Sequence, residues 1–180
     1  MTDKVSDNER SEILKKAGRP NENHKRLAEF FAGDWDYVTK SYFEPGARAQ
    51  ESKGSSKVIP VYEGRFLQWT DEGTTAAGEK FQAMGNIGYD WPRMVMFRTQ
   101  YSNQSTAFAI ATGEWPQDSN EIRLKSSHHV DHLTGARDAG GARIAIAVDG
   151  PARHTIRAYE WAPDGSKEYI ASESVYTRRK

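Results

Sequence analysis

The chain has no cysteine in its 180 residues. That excludes disulfides, thiolate metal sites and a cysteine nucleophile. It also lacks an excess of either charge, with 25 basic and 25 acidic residues. A balanced charge offers no electrostatic footprint for nucleic acid or an anionic membrane, so neither is expected as a partner. No apolar run approaches membrane-spanning length. Met1 to Ser6 lacks the charged-then-apolar order of a signal peptide. A cytoplasmic location is the expectation, and the absence of cysteine suits a reducing compartment. Two catalytic signatures are missing as well: the glycine loop that cradles phosphate and the Gly-x-Ser-x-Gly nucleophile elbow. Gly85 and Gly88 stand close together, but between two strand-like runs and not at a helix start.

What the chain does have is aromatic side chains: five Trp, eight Tyr and seven Phe. In so polar a chain they must line a core, a cavity or an interface. The length suits one domain, large enough to bury a core without disulfides or metal. Residues 1–23 read as a polar tail, helical from Glu9 to Lys16, with Ile13 and Leu14 its only apolar anchors. Such a segment is either a mobile tail or a helix docked on a partner subunit, which makes a homodimer a candidate assembly. Residues 24–180 read as a single domain. It opens with a short helix, capped by Asn21 or Asn23 and carrying Leu27, Phe30 and Phe31 on one face. Gly33 ends it.

Strands then dominate. The runs are Asp34–Phe43, Ser55–Tyr62, Arg65–Thr70, Gly78–Tyr89, Met94–Tyr101, Thr106–Thr112, Glu121–Val130, Ala142–Val148, His154–Trp161 and Glu168–Arg178. Asp149-Gly150-Pro151 and Pro163-Asp164-Gly165 are the clearest of the turns between them. About ten short strands behind one helix predict an all-β antiparallel barrel with the helix at one end. In Ala142–Val148 the apolar Ile144, Ile146 and Val148 share a face, as strand alternation requires.

Gly33-Asp34-Trp35 opens the first strand, Pro45-Gly46-Ala47 follows it, and Gly64-Arg65-Phe66-Leu67 opens a middle one. Phe81, Gly85, Gly88, Tyr89 and Asp90 come next, then Thr134-Gly135, and Glu173, Tyr176, Thr177 and Arg178 close the series. This combination resembles the lipocalin-like (calycin) bacterial family called domain of unknown function 1579, from Leu27 to Arg179. The resemblance implies a closed or nearly closed barrel with an internal cavity and no cofactor. It also implies that Trp35 closes the base of the barrel, with Arg178 packed across it through a cation–π contact. The chain departs from the family pattern at Trp91-Pro92 and at Gln100-Tyr101-Ser102, so its ligand is expected to differ from that of typical members.

His128-His129-Val130-Asp131-His132 is the densest cluster of catalytic side-chain types. Histidine titrates near neutrality and serves as a general acid or base. His128 and His132 share a strand face but stand about 13 Å apart at 3.3 Å per residue, too far for one metal. His129, Asp131 and a distant His154 could supply ligands, yet nothing in the spacing demands a metal, and none is assigned. His128 or His154 could serve as a haem ligand, but no motif supports that. Glu173 has Tyr169, Ala171 and Val175 on its strand face. It reads either as an inward carboxylate or as half of a salt bridge to an arginine in the next strand. Arg65 and Arg98 stand in otherwise uncharged runs, where an inward arginine would hold a carboxylate or phosphate.

Two functions follow from these residues. The first is binding of a small, partly apolar, aromatic molecule in the barrel, lined by candidates Trp69, Phe81, Met84, Met96, Arg98, Tyr101 and Phe108. The second is a cofactor-independent lyase, isomerase or hydrolase for a small aromatic or hydroxylated substrate, with His128, His132 and Glu173 moving protons. A histidine and Glu173 converging in one enclosed pocket would favour the enzyme.

Overall fold

The computed structural model describes residues 6–126, 142–162 and 164–180. Two helices precede ten strands: α1 (Asp7–Ala17), α2 (Glu22–Phe31), β1 (Gly33–Ser41), β2 (Gln50–Val61), β3 (Phe66–Thr74), β4 (Lys80–Asp90), β5 (Val95–Ser102), β6 (Ser105–Glu114), β7 (Glu121–Ser126), β8 (Arg143–Val148), β9 (Arg153–Trp161) and β10 (Glu168–Arg178). Each strand pairs antiparallel with its sequence neighbours, and β1 pairs with β10, so the sheet closes into a barrel. The ten runs expected from the sequence each correspond to a strand, except that residues 127–130 of the seventh lie outside the described residues. Closure leaves no open sheet edge running the length of the barrel, which is how an all-β domain of this size satisfies its backbone hydrogen bonds.

Helix α2 stops one end. Asn21 caps it, its side-chain oxygen accepting from the backbone N–H groups of Asn23 and His24. Leu27 and Phe31, four residues apart on one face, are buried against the strands. The helix ends at Phe31, Ala32 is already extended, and Gly33 follows with φ +135°. A side chain at Gly33 would be strained at that angle and would strike the Arg178 guanidinium. Arg178 donates to the carbonyls of Phe30 and Ala32 at the helix C-terminus and lies 4.2 Å over the Trp35 ring. The positive charge is well placed there, because the last carbonyls of a helix carry partial negative charge. Trp35 is wholly buried, and its indole N–H donates to the Phe31 carbonyl at 2.9 Å. The core gathers at this end, around Leu27, Trp35, Leu67, Met96, Ile122 and Ile146.

Helix α1 carries a complete capping box between Ser6 and Glu9 but buries no residue. Ile13 and Leu14 are both exposed. Its link to the barrel runs through Arg65, whose Nε donates to the Gly18 carbonyl at 2.7 Å. Deleting residues 1–17 is expected to shift the melting temperature by no more than about 2 °C, because α1 buries none of its own side chains. Calorimetry tests this, and a larger loss would show that α1 shields the barrel. Among the described residues, no helix is long and apolar enough to cross a membrane.

Candidate ligand-binding lumen

The end of the barrel away from α2 opens into a cavity of 560 Å³. Ser41, Gln50, Thr75 and Gln104 lie at its mouth, and Phe81, Ala83, Ile144, Ile156 and Ala158 supply apolar wall. Thr39, Ser52, Ser172 and Ser174 add hydroxyls, two of which bond across the β1–β10 seam, Thr39 to Ser174 at 2.7 Å. Beneath lies an inner chamber of 40 Å³ that reaches Phe31 and His154. Trp69, Asp71, Arg98, Ile156 and Tyr176 line both spaces, and so form the partition between them. A mostly apolar cavity with a few convergent polar groups is the common form of a small-molecule site.

The partition is built by alternation. In β3, Leu67, Trp69 and Asp71 share the inward face, while in β5 it is Met96, Arg98 and Gln100. Gly85 lies opposite Trp69 in the β3–β4 register. A Cβ on Gly85 would come within 2.9 Å of the indole ring and closer still to the Thr99 carbonyl, so the glycine makes the seat for Trp69. The Arg98 guanidinium lies 4.5 Å from the Trp69 ring centroid and donates to Gln100 Oε1 at 2.6 Å. Stacking on one side and the amide on the other hold its plane in place.

Asp71 is only 6% exposed. The Tyr176 hydroxyl donates to its Oδ2 at 3.0 Å, while its Oδ1 has no hydrogen-bond partner among the described residues. Burial pushes the carboxyl above the usual range, opposed by the Ser56 and Tyr176 hydroxyls and by the charge of Arg98. The same burial, with Asp71 nearby, raises the Tyr176 phenol well above its ordinary value and the Tyr37 phenol to about 12. His154 stacks on Tyr176 with ring centroids 4.6 Å apart and meets Trp35 and Phe31 edge-on. Desolvation, reinforced by Arg178 and Arg98, lowers it to about 3, so it is neutral at physiological pH. Trp69 Nε1 and His154 Nδ1 join Asp71 Oδ1 as buried polar atoms without a partner among the described residues. Buried polar atoms are normally satisfied, and here two in the partition and one in the chamber beneath it are left open.

Residues 19–178 match the model of a family described as "Protein of unknown function (DUF1579)". The chain belongs to this DUF1579 family. No curated protein matches it in sequence. Among solved structures, the DUF1579 barrel is similar to Rv2717c from M. tuberculosis, at 14% identity and a TM-score of 0.62, over 90% of this chain and 100% of that one. It is also similar to the S-type phycobiliprotein lyase CPES from Guillardia theta, at 15% identity and a TM-score of 0.55, over 92% and 97% of the two chains. At such identities the likeness establishes the barrel architecture of the DUF1579 chain and nothing finer.

The candidate residues divide by strand face. Trp69, Phe81 and Arg98 line the lumen. Met96 shares their inward direction but is sealed in the core at the α2 end. Met84, Tyr101 and Phe108 must be corrected to the outer wall. Met84 alternates with the inward Ala83 and lies opposite Tyr101 in register. Tyr101 and Phe108, 44% and 55% exposed, touch each other there with centroids 6.3 Å apart. Of the two readings of Glu173, the structure has the salt bridge: it pairs with Arg157 of the next strand at 2.7 Å, while Ser172, Ser174 and Tyr176 on the opposite face enter the lumen. Val175 shares the outward face of Glu173, whereas a β-bulge between Ile170 and Ser172 breaks the alternation before Tyr169. Arg65 is taken up by the Gly18 and Tyr62 carbonyls and Glu63, away from the lumen. His128, His129, Asp131 and His132 lie outside the described residues. Among the described residues, no three His, Cys, Asp or Glu side chains gather as metal ligands.

Asp71 and Tyr176 were missed as site residues in the sequence. A signal existed for Asp71: it is two residues from Trp69 in one strand, so an inward Trp69 requires an inward Asp71.

Proposed function

We propose that the barrel binds a small, partly apolar molecule with an aromatic body, inserted from the mouth with its polar end toward the Trp69–Asp71–Arg98–Tyr176 partition. The carrying observation is the 560 Å³ lumen, whose apolar walls end on a floor of buried polar atoms without partners. Its volume lies within the range of small-molecule pockets, about 300–1,000 Å³. CPES, one of the structural neighbours, is named a lyase, but a fold shared at this distance carries no reaction. A proton-transfer enzyme built on Glu173 is not adopted, because that carboxylate is ion-paired on the outer wall. His154 is a poor proton carrier, being held neutral beneath Tyr176.

Titration with 2-naphthylacetamide tests the reading, followed by Trp fluorescence and by amide chemical shifts. Saturable binding with shifts on β3, β5 and β10 is expected. Ala158→Phe should fill the lumen and weaken binding by about tenfold or more with the fold intact. No saturable binding, or equal binding by the filled variant, would overturn the proposal.

A further inference from the structure

We propose that the lumen selects carboxylic acids: the ligand's carboxylate rests on Arg98, with the indole N–H of Trp69 as a second donor. This inference rests on the lumen-binding reading and adds the chemical class of the ligand. Arg98 faces both the lumen and the inner chamber. Among the described residues its one hydrogen bond goes to the neutral Gln100 side chain, and it forms no ion pair. A guanidinium has five donors, so several are left for a ligand. A charged group on an enclosed barrel floor is costly unless it is paired. Asp71 is near enough to feel that charge, but among the described residues it makes no ion pair with Arg98, and its Oδ2 accepts from the Tyr176 hydroxyl.

The second observation is independent of Arg98. Trp69, also buried, lines the same floor and has an indole N–H without a partner. Indole can only donate. A guanidinium and an indole N–H on one floor therefore both ask for an acceptor, and an anionic oxygen pair satisfies both. Charge-assisted bonds of this kind are stronger than neutral ones, and the guanidinium fork matches a carboxylate in geometry.

Asp71 narrows the class further. A phosphate monoester carries nearly two negative charges and would meet one cation with a carboxyl beside it. A monoanion meets that carboxyl with half the repulsion. Burial, which favours the protonated form of Asp71, lessens the repulsion again. The walls above, Phe81, Ile144 and Ile156, suit an aromatic or aliphatic body. The ligand class is thus a small monocarboxylic acid with an apolar body.

The test is a matched pair, 2-naphthylacetic acid against 2-naphthylacetamide, measured by calorimetry at pH 7.5 on the full chain. The acid is expected to bind about tenfold or more tightly than the amide. Arg98→Gln should abolish that advantage, so that acid and amide bind the variant within about threefold of each other, and circular dichroism reports that the variant is folded. Should Arg98→Gln fail to fold, Trp69→Phe keeps the ring and removes only the N–H, and should reduce the acid's advantage. If acid and amide bind wild-type protein equally, the carboxylate inference falls and lumen binding stands. An advantage for the acid that survives Arg98→Gln in full also overturns it. If neither ligand binds, both readings fall.

Discussion

Between pH 7 and pH 4 the barrel is expected to lose about 3 kcal/mol of stability through His154 alone. His154 titrates at about 3 in the folded chain, against an ordinary 6.5, because it is buried and faces two arginines. Below pH 6.5 the unfolded chain takes up a proton that the native state refuses. The unfolded state then binds more protons, so stability falls as the pH drops from 6.5 toward 3. Asp71 acts in the opposite sense. Its raised folded value means the native state holds a proton that the unfolded chain has already released, so its contribution favours the fold on the acid side. Wild-type data contain both effects, and a variant separates them. His154→Phe keeps the stack on Tyr176 and the edge contacts with Phe31 and Trp35, and removes the unpartnered Nδ1. In urea titrations the variant should lie within about 1 kcal/mol of wild type at pH 7 and be about 3 kcal/mol more stable at pH 4. Parallel pH profiles for the two proteins would show that His154 is protonated in the fold.

Trp35→Ala should cost about 3–5 kcal/mol, the usual range for removing a large buried aromatic side chain. The side chain is fully buried, so the whole indole volume becomes a cavity. Two further losses follow. The Phe31 carbonyl loses its indole donor, and Arg178 loses the ring beneath its guanidinium. Both act at the junction where α2 meets β1, so the helix should loosen first. A domain with about 5–15 kcal/mol to lose would be left near its threshold. Equilibrium urea unfolding measures the total, and hydrogen exchange on α2 locates it. Trp35→Phe, which restores most of the packing and part of the stacking, should recover more than half. An unchanged urea midpoint for Trp35→Ala would contradict the central place given to this residue.

The strands were legible because their turns are chemically marked. Asp149-Gly150 closes β8 to β9 with Gly150 at φ +102°, a conformation that glycine adopts without penalty. The Trp35–Arg178 pair was legible through the family resemblance, and the cation–π contact forms at 4.2 Å. The faces were harder. The rule that apolar residues point inward assumes a dry core, whereas this lumen is partly polar. In β10 the lumen side carries Ser172, Ser174 and Tyr176, and the outer side Ala171, Glu173 and Val175. That inversion left Glu173 open between an inward carboxylate and a salt bridge, and hid Tyr176. In β5 the inward Arg98 and Gln100 alternate with the outward Tyr101. Parity within a strand would have corrected part of this. Phe81 and Met84, three residues apart in one strand, cannot share a face.

The β1–β10 seam has a kinetic consequence. Every other pairing joins neighbours in sequence, so the hairpins from β1 through β10 can form early and locally. The last pairing joins opposite ends of the domain, Trp35 to Arg178 among them, and must wait for a long loop to close. Until then β1 and the terminal strand of the growing sheet present bare hydrogen-bonding edges, the kind that recruit other chains. Refolding yield should therefore fall steeply with protein concentration, while the closed barrel, once made, stays monodisperse at the same concentration.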